Sequence, residues 1–281
     1  MSHGLRLSFL DFSIEISLAP VNSLYVHEEI IPSILNKLVN DIKSNGLFKD
    51  PIIADCNSNV ILDGMHRLAA ARMLNLKWIP TCYINYMDNR VKVYRWWRSI
   101  YGLGLMEIVK KYFTNVKFLN SNDINDYVNK YTLLVFRNGF YVFPSKDLME
   151  ALHLAKDLEN LILNFGFKIE YDLEFDALQK LNSNLCSAVI TLPEISKNDV
   201  ISIAKSNRVL PHKSTRHVLP FRPMNTCTPL SLLSMEDFHF ANSMFINSIK
   251  SKRINIYLPG HVLDRKYDEY LYVFEGEKVE D

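Results

Sequence analysis

The chain has 281 residues, 48% of them hydrophobic, enough for one large domain or two with a sizeable core. Its net charge of +1 excludes a global field for nucleic acid, no uncharged stretch reaches the ~20 residues needed to span a bilayer, and the first residues lack the basic and apolar regions of a signal peptide. The cysteines Cys56, Cys82, Cys186 and Cys227 form no CxxC pair, which argues against a zinc ribbon or a disulfide framework and for reduced thiols in a cytoplasmic protein.

Residues 5–20 alternate loosely and read as an N-terminal strand or hairpin; residues 23–26 form a short strand leading into His27-Glu28-Glu29. Ile31, Ile34, Leu35, Leu38, Val39 and Ile42 then recur at helical spacing, and Asn45-Gly46 closes that helix. Strands are expected at 51–55, 60–62 and 79–84, with a turn at Asn57-Ser58-Asn59 and a helix running from about His66 to Leu74. The aromatic and basic stretch 91–101 reads as the last strand of this unit and its exit. Beyond it come a helix at 105–113, a hairpin folded at Asn138-Gly139, and a long helix at 147–165. A strand at 167–171, a short helix at 174–181, a buried strand at 186–192, a helix at 198–206 that Ser196 could cap, and late strands at 254–258 and 270–274 complete the pattern. The fold class is α/β in the first region and α+β in the second, with domains at 1–104 and 105–281.

Two stretches carry chemistry. In Val60-Ile61-Leu62-Asp63-Gly64-Met65-His66-Arg67, an apolar run stops at Asp63-Gly64 and a helix starts at once. The first amides of such a helix have no carbonyl of their own helix to bond, and with the helix dipole they favour an anion. Residues Leu62 to Arg67 therefore read as a phosphate cradle, with the Asp63 carboxylate at its lip and His66 and Arg67 beside it. Strand-Asp-Gly-helix junctions also occur without any ligand. The second stretch, residues 205–222, holds five Lys or Arg and two His with no acid. Its centre, Lys213-Ser214-Thr215-Arg216-His217, lies between Pro211 and Pro220 and reads as a loop suited to a phosphate or carboxylate, the alternative being a solvated basic face. Glu28, Glu29 and Asp63 are the acidic candidates. Two carboxylates beside a phosphate cradle suit phosphoryl transfer, one taking a proton and the other placing Mg2+ or a reacting group.

The block from Leu24 to Asn85 resembles the ParB/sulfiredoxin-like fold. Sulfiredoxins carry a working cysteine where Met65 stands, and ParB proteins carry an arginine-rich turn followed by a helix-turn-helix reader. Free L-serine kinases of the same superfamily have a Glu after the first strand, an Asp-Gly-x-His-Arg turn, an aromatic Trp-Arg stretch and a distal Lys-Ser-Thr-Arg-His loop. All four are present as Glu28, Asp63–Arg67, Trp96-Trp97-Arg98 and Lys213–His217. The chain departs from that pattern at Met65, where the kinases usually carry His.

The resemblance implies a kinase that moves a phosphoryl group from ATP or ADP to the hydroxyl of L-serine, with Mg2+, giving O-phospho-L-serine for cysteine synthesis. It implies Glu28 as the base, with Glu29 as the fallback, and Asp63 orienting the hydroxyl or the metal. It gives the donor phosphates to Gly64, His66 and Arg67, the substrate carboxylate and phosphoryl group to Lys213, Thr215, Arg216 and His217, and the pocket wall to Trp97. His27 is read as structural. A site drawing on both regions is expected in a cleft between them that excludes water. The alternatives are a ParB-like nucleotide-dependent DNA-binding protein, with salt-dependent affinity, and a nucleotide-binding sensor without turnover.

Overall fold

Alternation in the first twenty residues builds a hairpin in which Leu5–Phe9 pairs antiparallel with Phe12–Pro20. The computed structural model describes residues 4–113, 116–263 and 266–277. The hairpin continues into a five-stranded sheet through Trp78–Ile84, Ile52–Asp55 and Ile61–Asp63. Its pairings are antiparallel except between Ile52–Asp55 and Trp78–Ile84, which run parallel. Helix Pro32–Asn45 ends at Gly46, whose φ of 65° suits a residue without Cβ, and it packs on helix Met65–Met73. Ile16, Ile52, Ile61, Leu68, Ala70 and Ile79 are fully buried, which is why these strands read as apolar runs.

Buried Asp55 organises one end of this sheet. Its carboxylate accepts from the Ser58 amide (2.8 Å) and hydroxyl (2.6 Å), which sets the turn at 56–59, and from the Tyr86 amide at 3.0 Å, which fixes Tyr86 beyond the neighbouring strand.

The chain divides into two compact units, and the first is discontinuous, comprising residues 1–92, 197–209 and 217–281. The expected division at 104/105 therefore differs from the one observed. The reason is strand and helix packing. Phe221–Met224 runs parallel to Tyr270–Glu277, which pairs antiparallel with Lys252–Tyr257. Helix Phe238–Lys250, absent from the sequence reading, packs on Phe12–Pro20, and the Asn242 side chain accepts from the Leu18 amide at 2.8 Å. The C-terminal third thus returns to the first unit.

The second unit, residues 93–196 and 210–216, holds a six-stranded antiparallel sheet. Its order is Lys168–Asp172, Trp97–Tyr101, Ala188–Thr191, Thr132–Phe136, Gly139–Phe143 and Lys117–Asn120. The Asn138-Gly139 hairpin is present as expected. Helix Leu148–Asn164 is capped by Asp147, which accepts from the Glu150 amide at 2.9 Å. Trp97–Tyr101, expected to close the first unit, is an inner strand of the second, because both its neighbours pair with it across several residues. Within the basic stretch, Arg216–Val218 and Phe221–Met224 are short strands rather than loop. No helix among the described residues is long and apolar enough to cross a membrane.

Candidate active site

The turn after Ile61–Asp63 is built as the residues require. Gly64 takes φ 104°, and a Cβ there would lie 2.7 Å from Ile52 Cγ2. Both the left-handed backbone and the contact with Ile52 call for glycine. Helix Met65–Met73 starts immediately, so the amides of Met65, His66 and Arg67 precede its first internal bond, which runs from the Leu68 amide to the Gly64 carbonyl.

Residues 25–31 are tied along this turn at both ends. The Ile61 amide donates to the Tyr25 carbonyl at 2.9 Å, and His27 Nδ1 bonds the Ile61 carbonyl at 2.8 Å. Farther along, the Ile31 amide donates to His66 Nε2 at 2.9 Å. Glu28 lies in sequence between the two ties and is 5% exposed. A carbonyl can only accept, so His27 carries its proton on Nδ1; an amide can only donate, so His66 Nε2 carries none. His66 is thus a neutral ring that fixes the path of Glu28, and its expected phosphate contact falls to Nδ1 or to the backbone amide. His27, expected to be structural, is fully buried and bonded to the Ile61 carbonyl.

Behind Asp63 lies a buried charge relay that the sequence reading missed. Asp63 Oδ2 accepts from Arg67 Nη2 at 3.2 Å and from Arg222 Nη1, while Arg222 Nε donates to Glu269 Oε1 at 2.5 Å. Both ends of the Arg222–Glu269 pair have side chains only 3% exposed. Burial alone would lower the Arg222 pKa, but Glu269 and Asp63 outweigh it and raise it above its ordinary value. Arg67 Nη1 also donates to the Pro51 carbonyl at 2.8 Å. Arg67 therefore braces Asp63 against Pro51 instead of standing open to a ligand.

His217 joins the same unit from the far side of the sequence. Tyr86 hydroxyl and His217 Nε2 are 2.8 Å apart, and the His217 ring meets His27 edge-on, with centroids 5.4 Å apart. Burial, followed by His27, pushes the His217 pKa well below its usual value; Asp63 and a bond to the Leu62 backbone oppose this, and Arg222 adds to it. Burial also lowers His27, against opposing pulls from Glu28, the Ile61 carbonyl and Asp63. The Tyr86 phenol is raised by burial and then by Asp55, so it stays protonated where it bonds His217. With its pKa pushed well down, chiefly by burial, His217 is neutral near pH 7.

The rest of the basic segment belongs to the second unit. Lys213 Nζ sits 4.7 Å and Arg216 Cζ 5.7 Å from the Trp96 ring centroid, both within cation–π range. Trp96 is held by Arg98, which donates to the Trp96 carbonyl and to Glu159 Oε1, each at 2.6 Å. The expectation that Trp97 walls a pocket is corrected here. Trp97 is 2% exposed and packs in a core cluster with Leu133, Phe140 and Leu181, and Trp96 is the aromatic that meets the basic residues. Ser214 is fully buried and its hydroxyl donates to the Pro211 carbonyl at 2.7 Å, so it shapes the turn. Thr215 is also buried, at 6% exposure.

Arg222 had a signal in the sequence, a charge inside the otherwise apolar run Phe221–Met224, which calls for a buried partner. That partner, Glu269, lies 47 positions on and had no local signal. Among the described residues, no three His, Cys, Asp or Glu converge as a metal cage. The donor set, a single carboxylate beside an anion site, fits Mg2+ only as a companion of bound phosphates, which is how that ion is commonly held.

No family model matches the chain. It is 32% identical over 233 residues to an ATP-dependent L-serine kinase of Staphylothermus marinus, covering 78% of this chain and 92% of that protein. It is 25% identical over 206 residues to the ADP-dependent L-serine kinase SerK of Thermococcus kodakarensis, covering 70% and 84% respectively. Its fold matches that of a free serine kinase in complex with AMP with a TM-score of 0.66 at 23% identity, over 78% of this chain and 93% of that one. By its identity to the first of these over nearly that protein's full length, the chain belongs to the L-serine kinase family.

Proposed function

We propose that the protein phosphorylates free L-serine on its hydroxyl, with ATP or ADP as donor, to give O-phospho-L-serine. The observation that carries this reading is the double tie of residues 27–31, which runs the segment bearing buried Glu28 along a glycine turn and helix N-terminus suited to an anion. The donor phosphates lie against the amides of Met65, His66 and Arg67. Glu28 takes the serine hydroxyl proton as the oxygen bonds phosphorus and the bond to the nucleotide leaving group breaks. Asp63, fixed by Arg67 and Arg222, orients the reacting hydroxyl and would hold Mg2+ together with the donor phosphates. Mg2+ supplies charge neutralisation between those phosphates. His217 is a neutral ring packed edge-on against His27, and Lys213, Thr215 and Arg216 are the residues assigned to the serine carboxylate and the phosphoryl group.

The DNA-binding alternative is disfavoured by the second unit, an antiparallel α+β layer where a helix-turn-helix reader is required, and by the net charge of +1. A reducing, cytoplasmic setting suits the four free thiols, and the product suits cysteine synthesis. Glu28→Ala separates a kinase from a sensor. Turnover is expected to fall by about 10²–10⁴-fold with nucleotide affinity kept. Full activity in that variant, with loss in Glu29→Ala, would move the base to Glu29.

A further inference from the structure

The second unit contains a pocket of about 390 Å³ that the proposed reaction does not use, apart from one shared wall at Arg216. That volume falls in the range of small-molecule sites and exceeds what serine needs. Its charged lining has both signs. Arg95 and Arg216 supply two guanidiniums, and Glu174 and Glu194 supply two carboxylates. Val93, Leu173 and Ile195 supply an apolar wall, with the exposed ring of Phe175 at the rim.

The guanidinium side is built. Arg95 Nη2 donates to Asn129 Oδ1 at 2.8 Å, and its Cζ lies 5.8 Å from the Trp97 ring centroid, over the core of the unit. The Asn129 carbonyl in turn accepts from the Glu194 amide at 2.9 Å, which joins the two charged walls through one residue. Burial lowers the Arg95 pKa, and the nearby Glu174 and then Glu194 oppose it. Glu174 and Glu194 are both exposed on the pocket wall, so each can meet a cation from solution.

We propose that this pocket is an accessory site for an α-amino acid with an apolar side chain. The ligand carboxylate meets the Arg95 guanidinium, with Arg216 only at the pocket's edge, its ammonium lies between Glu174 and Glu194, and its side chain covers Val93, Leu173 and Ile195. A simple anion would meet the two glutamates, and a simple cation the two arginines; a zwitterion satisfies both walls. Because Arg216 is the last residue of the second unit before His217, a bound ligand acts on the segment proposed to hold serine. Binding itself is independent of the kinase reading.

Calorimetry on the full chain tests this with L-leucine, L-methionine and L-phenylalanine, and with the N-acetyl and amide derivatives of whichever binds. At least one free amino acid is expected to bind, and blocking either end, or making Glu174→Gln with Glu194→Gln, to weaken it by about tenfold or more. These two exposed glutamates can be changed without disturbing the core. Lys213→Ala, on the proposed serine segment, is expected to leave binding unchanged. No heat with any of the three amino acids overturns the proposal. So does binding that survives the double glutamine change or disappears with Lys213→Ala. Because no arm reads turnover, a failed kinase assay leaves the result intact.

Discussion

At the scale of single residues, Arg222 carries a large share of the electrostatic design. One guanidinium joins Asp63 at the turn to Glu269 in the interior, and neither Arg222 nor Glu269 reaches solvent appreciably. Arg222→Met keeps the volume but strands the Glu269 carboxylate without its cation. Removing one partner of such a buried pair costs about 3–5 kcal/mol, so a marked drop in the urea midpoint is expected. Unchanged stability would mean that Glu269 finds another partner or takes up a proton. The carboxylates proposed for catalysis, Glu28 and Asp63, were singled out in the sequence because they stand at abrupt changes of pattern. Arg222 stood out only as a charge among apolar neighbours, and Glu269 could not be found, since nothing local announces a partner 47 residues away. Trp96 and Trp97 show another limit. Adjacent residues of an extended chain point to opposite faces, so one of the pair had to be core and the other open to the basic segment. Sequence alone could not say which, and the structure places Trp97 in the core and Trp96 with Lys213.

At the scale of the element, the strand-turn-helix of Ile61–Met73 was readable because each of its parts has a local cause. The β-branched run ends, Gly64 permits φ 104°, and helix formers follow directly. Gly64→Ala tests the element. The alanine must hold a left-handed backbone and place Cβ against Ile52, costing about 1–3 kcal/mol. Moving the turn also displaces the amides of Met65 and His66, so nucleotide affinity is expected to fall by about tenfold or more, a loss of about 1.4 kcal/mol. Wild-type affinity in a folded Gly64→Ala protein would remove the turn from the phosphate site. The segment 25–31 was legible as the approach to a helix but not as a strap along the turn. Its ties are side-chain bonds from His27 and His66 whose partners lie 34 and 35 positions away.

At the scale of the whole molecule, two buried neutral histidines give the fold a defined response to acid. His27 and His217 both have pKa values below their ordinary 6.5 in the folded chain. As pH falls below that value, the unfolded chain binds protons that the folded chain refuses, so stability is present above about pH 6.5 and is lost as pH drops. Each histidine contributes a slope of up to about 1.4 kcal/mol per pH unit until its folded pKa is reached. Urea midpoints measured from pH 7.5 to 5.5 are expected to fall with acid, and His27→Asn, which keeps an N–H near the Ile61 carbonyl, to flatten the curve. An identical slope in that variant would assign the acid response elsewhere. The two-part organisation was only partly legible. Strand and helix patterns along the chain follow local propensity and appear largely where expected. That the C-terminal third returns to the first unit depends on pairings such as Phe221–Met224 with Tyr270–Glu277 and on the seat of helix Phe238–Lys250, which are decided by packing alone.

The central claim is that this chain transfers a phosphoryl group to free serine. Phosphorus NMR on the purified protein with L-serine, Mg2+ and either ATP or ADP reads it most directly. A growing O-phospho-L-serine resonance is expected with at least one donor, and none when serine is omitted. Nucleotide binding with no phosphoserine from either donor would contradict the claim.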